Sequence, residues 1–537
     1  MAYYTAPEVE KLLEKYPQYQ EKLYCRGFLL TNRDEMDCER YPFYGNWQKT
    51  ELNREFFIYT HKDTHVHTRE FEGNILFLIG HAYDPFSMLT KEEDILQKLA
   101  DAWMQGEESF WDSESDLTGV FCLGCITTAN TVVYTTDCAG MQLVYHGVVN
   151  GKFYLTSHSK LAADLCGLQQ DPYVTKLVNS RFFRYWGTWL PGDLSPYEEL
   201  KRMQPNCAGT LQSKTGEITV SRYYPTRKIV ETKTEEEYKQ TIHDLGEIMS
   251  RTMDLISQKW SDKTVAISAT GGRDSMTAVA CANGFYDRFH FFSYISNEAE
   301  SVDAYAAKEI CEQLDVPHKI YTIPTDDAQY PDLDVFKVIM ECNAGCIGHN
   351  NANDVRKRMY FSQNCDFDIE VKSWVNEMGR GWYYNKYNKK SFPNRPTPQY
   401  WRAMHKVYLS PEIIRHTDKV FEEYLKKYYS EEIFDRLPWL ELYFWEFAWS
   451  GGEGVFLTSE HRVSYDITIP FNNRKYIEKM LTVPLEKRIR DDIPKDLITS
   501  RNPKIAESGI VIKDVQHTDF RALVVRTYLE IMSKVRF

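Results

Sequence analysis

The sequence is short of the features that mark membrane, secreted and nucleic-acid-binding proteins. None of its 537 residues belongs to an apolar run of about 18 residues, so no membrane-spanning helix is expected. The first ten residues have neither the basic stretch nor the apolar stretch of a secretory signal. A net charge of −13 argues against a broad contact with nucleic-acid phosphates. These absences predict a cytoplasmic protein that binds neither membranes nor nucleic acid.

Cysteine is also sparse. Twelve cysteines in 537 residues are too few for a disulfide scaffold, so reduced thiols are expected. The pairs Cys122/Cys125 and Cys342/Cys346 have spacings that a zinc site uses. However, the first pair falls within the apolar run 120–126, which indicates a buried strand. We therefore expect core thiols rather than metal ligands.

The composition and the length of the chain indicate more than one globular domain. The hydrophobic fraction is 43% and the charged fraction 26%, as in ordinary globular proteins, and the length favours several domains. Up to residue 225, short apolar strands alternate with a few helical patterns, and Asn150-Gly151 is typical of a hairpin turn. This pattern predicts an α+β sandwich over residues 1–225.

A second domain is predicted over residues 236–537. Charged residues 225–238 form a plausible linker, and a helical pattern follows from Glu236 to Trp260. Strand and helix patterns then alternate, which predicts a parallel α/β sheet. The last 140 or so residues have a mostly helical pattern rich in tryptophan and tyrosine.

The most informative motif opens this second domain. An apolar strand pattern from Thr264 ends in Thr270-Gly-Gly-Arg-Asp-Ser275, and an alanine-rich helical pattern follows. Backbone N–H groups in such a turn, backed by a helix N-terminus, form an anion site. The carboxylate of Asp274 beside a phosphate predicts a bridging Mg²⁺. No G-K-[ST] follows the glycines, so this is not a Walker A loop. The motif resembles the S-G-G-x-D-S pyrophosphate loop of ATP pyrophosphatases, with Thr270 in place of the first serine.

Further motifs resemble the asparagine synthetase family, which includes the β-lactam synthetases and lasso-peptide cyclases. In the first domain, Thr135-Thr-Asp-Cys-Ala-Gly-Met-Gln-Leu-Val-Tyr145 resembles A-R-D-x-x-G-x-x-P-L-Y-Y. In the second, Ser373-Trp-Val-Asn-Glu-Met-Gly-Arg-Gly-Trp-Tyr383 is similar to S-G-x-G-A-D-E-L-F-G-G-Y, and Ile493-Pro-Lys-Asp-Leu-Ile-Thr-Ser-Arg-Asn-Pro-Lys504 resembles L-P-K-E-I-L-x-R-x-K. The resemblance implies a degenerate glutaminase-like domain with the fold of the N-terminal-nucleophile hydrolases, followed by an ATP pyrophosphatase domain.

The chemistry that this resemblance implies is carboxylate activation. ATP and a small-molecule or peptide carboxylate would form an acyl-adenylate and pyrophosphate, and an amine would then displace AMP. Positioning and charge stabilisation contribute most to such a reaction. The resemblance places the cofactors ATP and Mg²⁺ on the following residues: Thr270, Gly271, Gly272 and Ser275 at the pyrophosphate, Asp274 at the metal, and Ser293 and Tyr294 at the adenine.

Two further residues receive catalytic roles from the resemblance. Glu377 matches the glutamate of the family's D-E pair and would orient the attacking amine or accept its proton, which needs a raised pKa. Lys504 matches a late lysine that stabilises the acyl-transfer transition state. Asn376 stands where the family has the aspartate of the D-E pair, so its amide oxygen would be a weaker, uncharged metal ligand. Arg380 is either a surface residue or a contact to phosphate or carboxylate.

The N-terminus departs from the glutamine-using members of the family. They have Cys directly after the initiator Met, whereas this chain has Ala2, and Ile79 replaces the asparagine of their oxyanion segment. The first domain is therefore expected to have lost glutamine hydrolysis. One alternative remains, in which removal of residues 1–24 exposes Cys25 as the nucleophile of a glutamine-dependent amidotransferase.

The sequence thus predicts an AMP-forming carbon–nitrogen ligase that uses an amine or ammonia without hydrolysing glutamine. A catalytically weakened nucleotide-binding partner subunit is the competing hypothesis, supported mainly by Asn376. A third hypothesis is an enzyme that uses the same kind of pyrophosphatase loop to modify a tRNA base, and the net negative charge of the chain argues against it. The acyl substrate and the oligomeric state stay open, with a homodimer as one alternative. The aromatic segment 439–449 either lines a pocket or is core helix.

Overall fold

The computed structural model describes residues 3–183, 189–347, 351–510 and 519–537. In these ranges, two six-stranded antiparallel sheets form a sandwich, and a five-stranded parallel sheet and a helical C-terminal part follow. This architecture confirms the coarse fold class expected from the sequence. No helix in the same ranges is both long and apolar enough to cross a membrane.

The sandwich comprises residues up to Arg222. Its strands are β1 Phe28–Thr31, β2 Trp47–Glu51, β3 Phe57–His61, β4 Val66–Phe71, β5 Asn74–Tyr83, β6 Thr118–Ile126, β7 Thr131–Thr136, β8 Tyr145–Val149, β9 Lys152–Thr156, β10 Lys201–Arg202, β11 Cys207–Gln212 and β12 Glu217–Arg222. Its helices are α1 Ala6–Lys15, α2 Glu92–Gln105, α3 Glu107–Glu114, α4 Ser159–Cys166 and α5 Pro172–Val178. The strand orders are β10-β8-β9-β1-β3-β2 and β12-β11-β7-β6-β5-β4.

Strand alternation determines the layers of the sandwich. Phe28 and Leu30 of β1 point into the core between the sheets, whereas Leu29 between them packs into a separate cluster with α1 and α4. On the second sheet, Leu76 and Leu78 of β5 likewise face α2 and α3. A helical layer therefore covers each sheet. Cys122 and Cys125 are fully buried in β6 and all twelve cysteines are free, which confirms the core thiols expected from the sequence.

The predicted hairpin turn is present between β8 and β9. Asn150 and Gly151 have φ values of 51° and 73°, which is the left-handed conformation that a two-residue type I′ turn requires at both positions. Asparagine tolerates this conformation and glycine adopts it without steric cost.

The second region begins after an irregular segment that includes the predicted linker. Its strands are β13 Val265–Ser268, β14 His290–Ile295, β15 His318–Thr322, β16 Ile369–Val371 and β17 Asp466–Thr468. Its helices are α6 Glu235–Lys259, α7 Arg273–Cys281, α8 Glu298–Gln313, α9 Leu333–Asn343, α10 Ala352–Asn364, α11 Trp382–Tyr387, α12 Pro398–His405, α13 Pro411–Tyr428, α14 Glu431–Arg436, α15 Trp439–Leu442, α16 Gly454–Phe456, α17 Arg474–Leu481, α18 Leu485–Ile489, α19 Asp492–Arg501, α20 Pro503–Glu507 and α21 Asp519–Met532. All neighbouring strands run parallel in the order β15-β14-β13-β16-β17.

The C-terminal part differs in two ways from the mostly helical structure that its sequence predicts. Strand β17 pairs with β16 and completes the parallel sheet, although three residues are too few to give a strand signal. The aromatic segment forms one continuous helical stretch from Trp439 to His461, in which Tyr443–Glu453 and Leu457–His461 are π-helical. Long π-helical segments are rare and often occur at functional sites.

Buried polar contacts join the sandwich to the second region. Asn472 donates from Nδ2 to the carbonyl of Gly119 and to Asp137 Oδ1, at 2.7 and 2.8 Å. Arg474 forms an ion pair with Glu114, and both side chains are almost fully buried. The apolar core is also continuous across the two regions. The predicted division into residues 1–225 and 236–537 stays a prediction, because these contacts pack both parts together.

Candidate functional site

The glycine loop lies at the centre of the parallel sheet. It follows β13, and the chain then builds β14 and β15 on one side before it returns to add β16 and β17 on the other. The crevice at the carboxyl ends of β13 and β16 is therefore the point at which the strand order reverses. Open α/β sheets bind their ligands in such a crevice. The loops that follow these two strands, 269–272 and 372–375, are thus the first candidates for a ligand site.

The loop has the predicted strand–turn–helix geometry and brings its polar residues together. The N–H of Thr270 donates to Ser275 Oγ at 2.7 Å, and the N–H of Gly272 donates to Thr270 Oγ1 at 3.2 Å. The N-cap residue of α7 is Gly272, which has no side chain to cap the helix, so N–H groups of the first turn can face an anion. A Cβ at Gly271 would lie 3.2 Å from Asp303 Oδ1 and 3.3 Å from the Cβ of Ala306, so a side chain there would press against α8.

Asp274 is held by protein donors on both carboxylate oxygens. Asn376 donates from Nδ2 to Oδ1 at 2.8 Å, and Arg380 Nη2 lies 3.0 Å from Oδ2. Burial raises the pKa of Asp274, and the Arg380 guanidinium opposes this effect. Asp491 continues the network, with Arg273 Nη1 at 2.9 Å from its Oδ2. Arg380 is therefore a buried partner of the loop rather than a surface residue.

The expected metal pair, Asp274 and Asn376, stays a prediction, and the two side chains are bonded to each other. Asn376 turns its amide nitrogen, not its oxygen, toward Asp274, while its Oδ1 accepts a hydrogen bond from Tyr476 at 3.3 Å. Within the described ranges no group of three histidine, cysteine or acidic side chains could hold a metal ion. In this arrangement the Arg380 guanidinium, rather than a metal ion, balances the charge of the Asp274 carboxylate.

The loop after β16 carries backbone strain. Val375 is fully buried and has a φ of 77°, which is exceptional for a β-branched residue. Such strain costs on the order of 1–3 kcal/mol and persists where the surroundings fix it, often at functional sites. The strained residue comes directly before Asn376 and Glu377, so it determines how both side chains approach the glycine loop.

Glu377 has the environment that a general base needs. Its half-buried side chain makes no hydrogen bond or ion pair with any residue that the structure describes. Burial and, next, the negative charge of Asp274 raise the pKa of Glu377 to about 8. The carboxyl group therefore exchanges protons near neutral pH.

Lys504 is not brought to the glycine loop. Helices α7 and α19 lie side by side in the same direction, since Arg273 contacts Asp491 at their beginnings and Asn283 donates to the carbonyl of Arg501 at their ends. Lys504 follows on α20 as an exposed residue, beyond the far end of α7. A nine-residue helix is about 13 Å long, so the predicted role of Lys504 in acyl transfer does not agree with this position.

Of the two residues expected at the adenine, Ser293 is buried and Tyr294 is half-buried. Ser293 is buried and its Oγ donates to the carbonyl of Ala269 at 2.5 Å and contacts His318 Nε2 at 2.9 Å, so the fold itself uses this hydroxyl. Tyr294 is half-buried near the carboxyl end of β14, with Lys357 Nζ 5.5 Å from its ring centre. Of the pair, only Tyr294 keeps a surface for a ligand.

Sequence reasoning missed a group of charged residues at the end of β16 and on α10. Lys372 Nζ lies 3.5 Å from Glu370 Oε1 and 4.6 Å from the ring centre of Trp374. Arg358 from α10 is only 5% exposed and donates to His461 Nε2 at 3.2 Å. In the sequence, the charges of Glu370 and Lys372 interrupt the end of an apolar strand, which is the signal that would have indicated them.

Glu453 and Glu460 complete this group from the helical stretch 439–461. Burial raises the pKa of each to about 7. Both are acidic residues in a stretch dominated by aromatic, aliphatic and glycine residues, where an unpaired charge is rarely placed without a function.

Comparisons with known proteins leave the family open. No protein-family model matches the chain, and no curated protein matches it. Two solved structures, a glutamine phosphoribosylpyrophosphate amidotransferase from B. subtilis complexed with ADP and GMP and an allosteric regulatory enzyme of purine biosynthesis, match at 9% identity and a TM-score of 0.23. The matches cover 59% and 58% of this chain and 63% and 62% of those chains, less than two thirds of their length. A likeness this weak supports no conclusion, and membership of the asparagine synthetase family stays a prediction.

Proposed function

We propose that the protein is an ATP-dependent ligase that releases AMP and pyrophosphate while it joins a carboxylate to an amine or ammonia, without hydrolysing glutamine. One observation carries the proposal: an uncapped helix N-terminus at the reversal point of the parallel sheet lies next to a carboxyl group, Glu377, whose pKa is about 8. The first feature suits a nucleotide phosphate and the second suits proton removal from an amine.

The proposed reaction has two balanced steps. An oxygen of the substrate carboxylate bonds to the α-phosphorus of ATP, and the bond to pyrophosphate breaks. The amine nitrogen then bonds to the acyl carbon, the carbon–oxygen bond to AMP breaks, and the nitrogen loses a proton to the Glu377 carboxylate. The N–H groups that begin α7 and the network of Arg273, Arg380 and Asp274 would bind the phosphates.

The residues fit ATP better than they fit a metal held by the protein alone. Small backbone-rich turns at helix N-termini accept phosphates, and Arg273 and Arg380 add positive charge to this one. Both oxygens of Asp274 are already bonded, so a magnesium ion would enter mainly on the phosphates of the nucleotide. No step above depends on such an ion.

The position of Cys25 supports the absence of glutamine hydrolysis. Its side chain is 3% exposed, its thiol contacts the carbonyl of Arg462 at 3.5 Å, and burial raises its pKa. The preceding residues are core elements, since Leu13 is fully buried and the N–H of Tyr24 donates to Asn343 Oδ1 at 2.7 Å. Removal of residues 1–24 would take away packed structure, which argues against the processed amidotransferase.

A catalytically weakened nucleotide-binding subunit is the second candidate. The observation that favours it is the bonding of Asp274 to Asn376 and Arg380, which leaves this carboxylate without the open coordination of a metal ligand. Such a subunit would bind ATP and make no AMP.

The test is to follow AMP and pyrophosphate with ATP, Mg²⁺ and a panel of carboxylates, each with ammonium or with glutamine. We expect AMP with ammonium and none with glutamine alone. Asp274→Asn should lower turnover at least 100-fold, whereas Asp262→Asn, at an exposed turn, should leave it unchanged. ADP as the product would contradict the proposal, and ATP binding without any AMP would favour the second candidate.

A further inference from the structure

The end of β16, helix α10 and the helical stretch 439–461 meet around the indole ring of Trp374. The ring centres of His461 and Trp449 lie 5.1 Å and 6.1 Å from that of Trp374. Lys372 Nζ is 4.6 Å from the same ring centre, and Arg358 Nη2 lies 3.2 Å from His461 Nε2. Side chains from three segments therefore form one cluster around a half-buried indole.

Three nitrogen atoms of this cluster are buried and have no hydrogen-bond partner in the described part of the chain: Arg358 Nε, His461 Nδ1 and Trp449 Nε1. The three residues are only 5%, 7% and 4% exposed. Guanidinium and indole nitrogens can only donate. Since Arg358 Nη2 donates to His461 Nε2, the proton of the neutral imidazole is on Nδ1. Burial lowers the pKa of His461 well below its ordinary value, so the imidazole is neutral. All three unpartnered atoms are therefore donors.

The surplus of donors indicates a ligand that accepts hydrogen bonds. Buried polar groups almost always have a partner, and leaving one unsatisfied is costly. Glu370 Oε2 is an unpartnered acceptor of the same cluster, and Lys372 Nζ, 3.5 Å from Glu370 Oε1, balances its charge. The hydroxyls of Ser373 and Thr458 also lack partners among the described residues and can donate. A carboxylate, with two oxygens that only accept, matches this surplus.

The charges in the cluster permit an anion at mildly acidic pH. Lys372 pairs with Glu370, and burial raises the pKa of Glu453 and of Glu460 to about 7, so both of these carboxyl groups are mostly uncharged at pH 6. The guanidinium of Arg358 is cationic at any pH at which proteins are studied. An anion that accepts from Arg358 Nε therefore meets a positive charge there.

The cluster is close to the glycine loop and has aromatic walls. Trp374 is two residues before Asn376, whose amide donates to Asp274 at 2.8 Å. The ring of Phe444 extends the aromatic wall, with its centre 6.1 Å from that of Trp449. Binding sites for small molecules commonly combine such apolar walls with a few polar groups that fix the orientation of the ligand.

We propose that this cluster binds the carboxylate of the acyl substrate through Arg358 and His461, and that the substrate is an aromatic carboxylic acid whose ring packs against Trp374 and Trp449. The inference rests on the proposed ligase function, but the binding that it predicts is measurable without ATP. A carboxylate at this position gives the unpartnered donors charge-assisted hydrogen bonds. An aliphatic acid would leave the aromatic walls uncovered, and an aromatic amide would lose the charge.

The experiment is calorimetric titration of the full-length protein at pH 6, without ATP, with benzoate, phenylacetate and 3-phenylpropionate, with the amide of each, with acetate and with inorganic phosphate. We expect the best aromatic acid to bind at least about tenfold more tightly than its amide, acetate or phosphate. Arg358→Lys keeps the charge but removes Nε, and should weaken this binding at least about tenfold. Trp449→Phe removes only the indole N–H and should weaken it about threefold or more. Arg415→Lys, at an exposed position of α13, should bind like the unchanged protein.

The outcomes separate this inference from the ligase proposal. No binding of any aromatic acid, equal affinity for acid and amide, tighter binding of phosphate, or unchanged affinity in both Arg358→Lys and Trp449→Phe would overturn the inference, even if AMP is formed from another carboxylate with ammonium. Selective binding of an aromatic acid without AMP formation would support the carboxylate site and count against the ligase. Urea denaturation of both variants provides the control that they are folded.

Discussion

Glu377→Gln should make the protein more stable at high pH while it removes the proposed base. The pKa of Glu377 is about 8, compared with its ordinary value of 4.5, because burial and the charge of Asp274 both oppose ionisation. Between pH 4.5 and about pH 8, the Glu377 carboxyl group is ionised in the unfolded chain but still protonated in the folded protein. Stability therefore falls as pH rises through this window, and the loss is complete above pH 8. Glutamine has a similar shape and carries no charge, so the variant avoids this loss.

The size of the effect follows from the same values. The rise in the pKa of Glu377 from 4.5 to about 8 corresponds to about 5 kcal/mol in the free energy of unfolding for a fully buried group, at roughly 1.36 kcal/mol per pKa unit. Glu377 is half-buried, and water screens part of its interactions, so we expect about half of this. Somewhat over half of the window lies above pH 6, so the advantage of the variant should grow by about 1.5 kcal/mol between pH 6 and pH 9.

Urea denaturation of both proteins at pH 6 and pH 9 measures this change in the free energy of unfolding. Glu309→Gln, at an exposed position that makes no hydrogen bond or ion pair with the residues the structure describes, should show no such dependence on pH. A stability difference that is the same at both pH values would refute the argument that Glu377 is destabilised by its surroundings. Loss of AMP formation in the same variant would link the unfavourable charge to catalysis.

Three more predictions concern the fold and the buried thiol of Cys25. Arg474→Met should lower stability by about 3–5 kcal/mol, since it leaves buried Glu114 without its ion pair, and adding Glu114→Gln should restore much of this in urea denaturation. Gly124→Ala should cost at least about 1–3 kcal/mol in thermal unfolding, because the new Cβ would lie 2.2 Å from the Phe77 ring, and an unchanged melting temperature would contradict this packing. Cys25→Ala should leave ammonium-dependent AMP formation unchanged, since the thiol is buried. Loss of AMP formation in this variant would instead indicate a role for the thiol.

Local patterns in the sequence predicted the elements that depend on near neighbours. The strand and turn of the glycine loop, the hairpin at Asn150-Gly151 and helix α6 all agree with the structure. Helix α6 begins at a capping box in which Thr234 and Glu237 bond to each other's backbone, a signal contained within four residues. Strand β17 was missed because its three residues are stabilised by pairing with β16, not by their own pattern.

The candidate site depends on contacts between distant segments. The glycine loop could be predicted, but the bonds of Asp274 to Asn376 and Arg380 form across roughly a hundred residues of chain. Alignment with a family motif gave Lys504 a catalytic role, whereas the direction of α19 along α7 carries it away from the loop.

The sequence by itself determined where the glycine turn begins and which strands and helices surround it, because hydrogen bonding and side-chain periodicity act over a few residues. Only the tertiary structure decided which side chains meet there. The order of the parallel strands brings the loops after β13 and β16 together, where Asn376 and Arg380 bond to Asp274. Their chemistry depends on burial and on charges supplied by other segments, and neither is determined until the chain is folded.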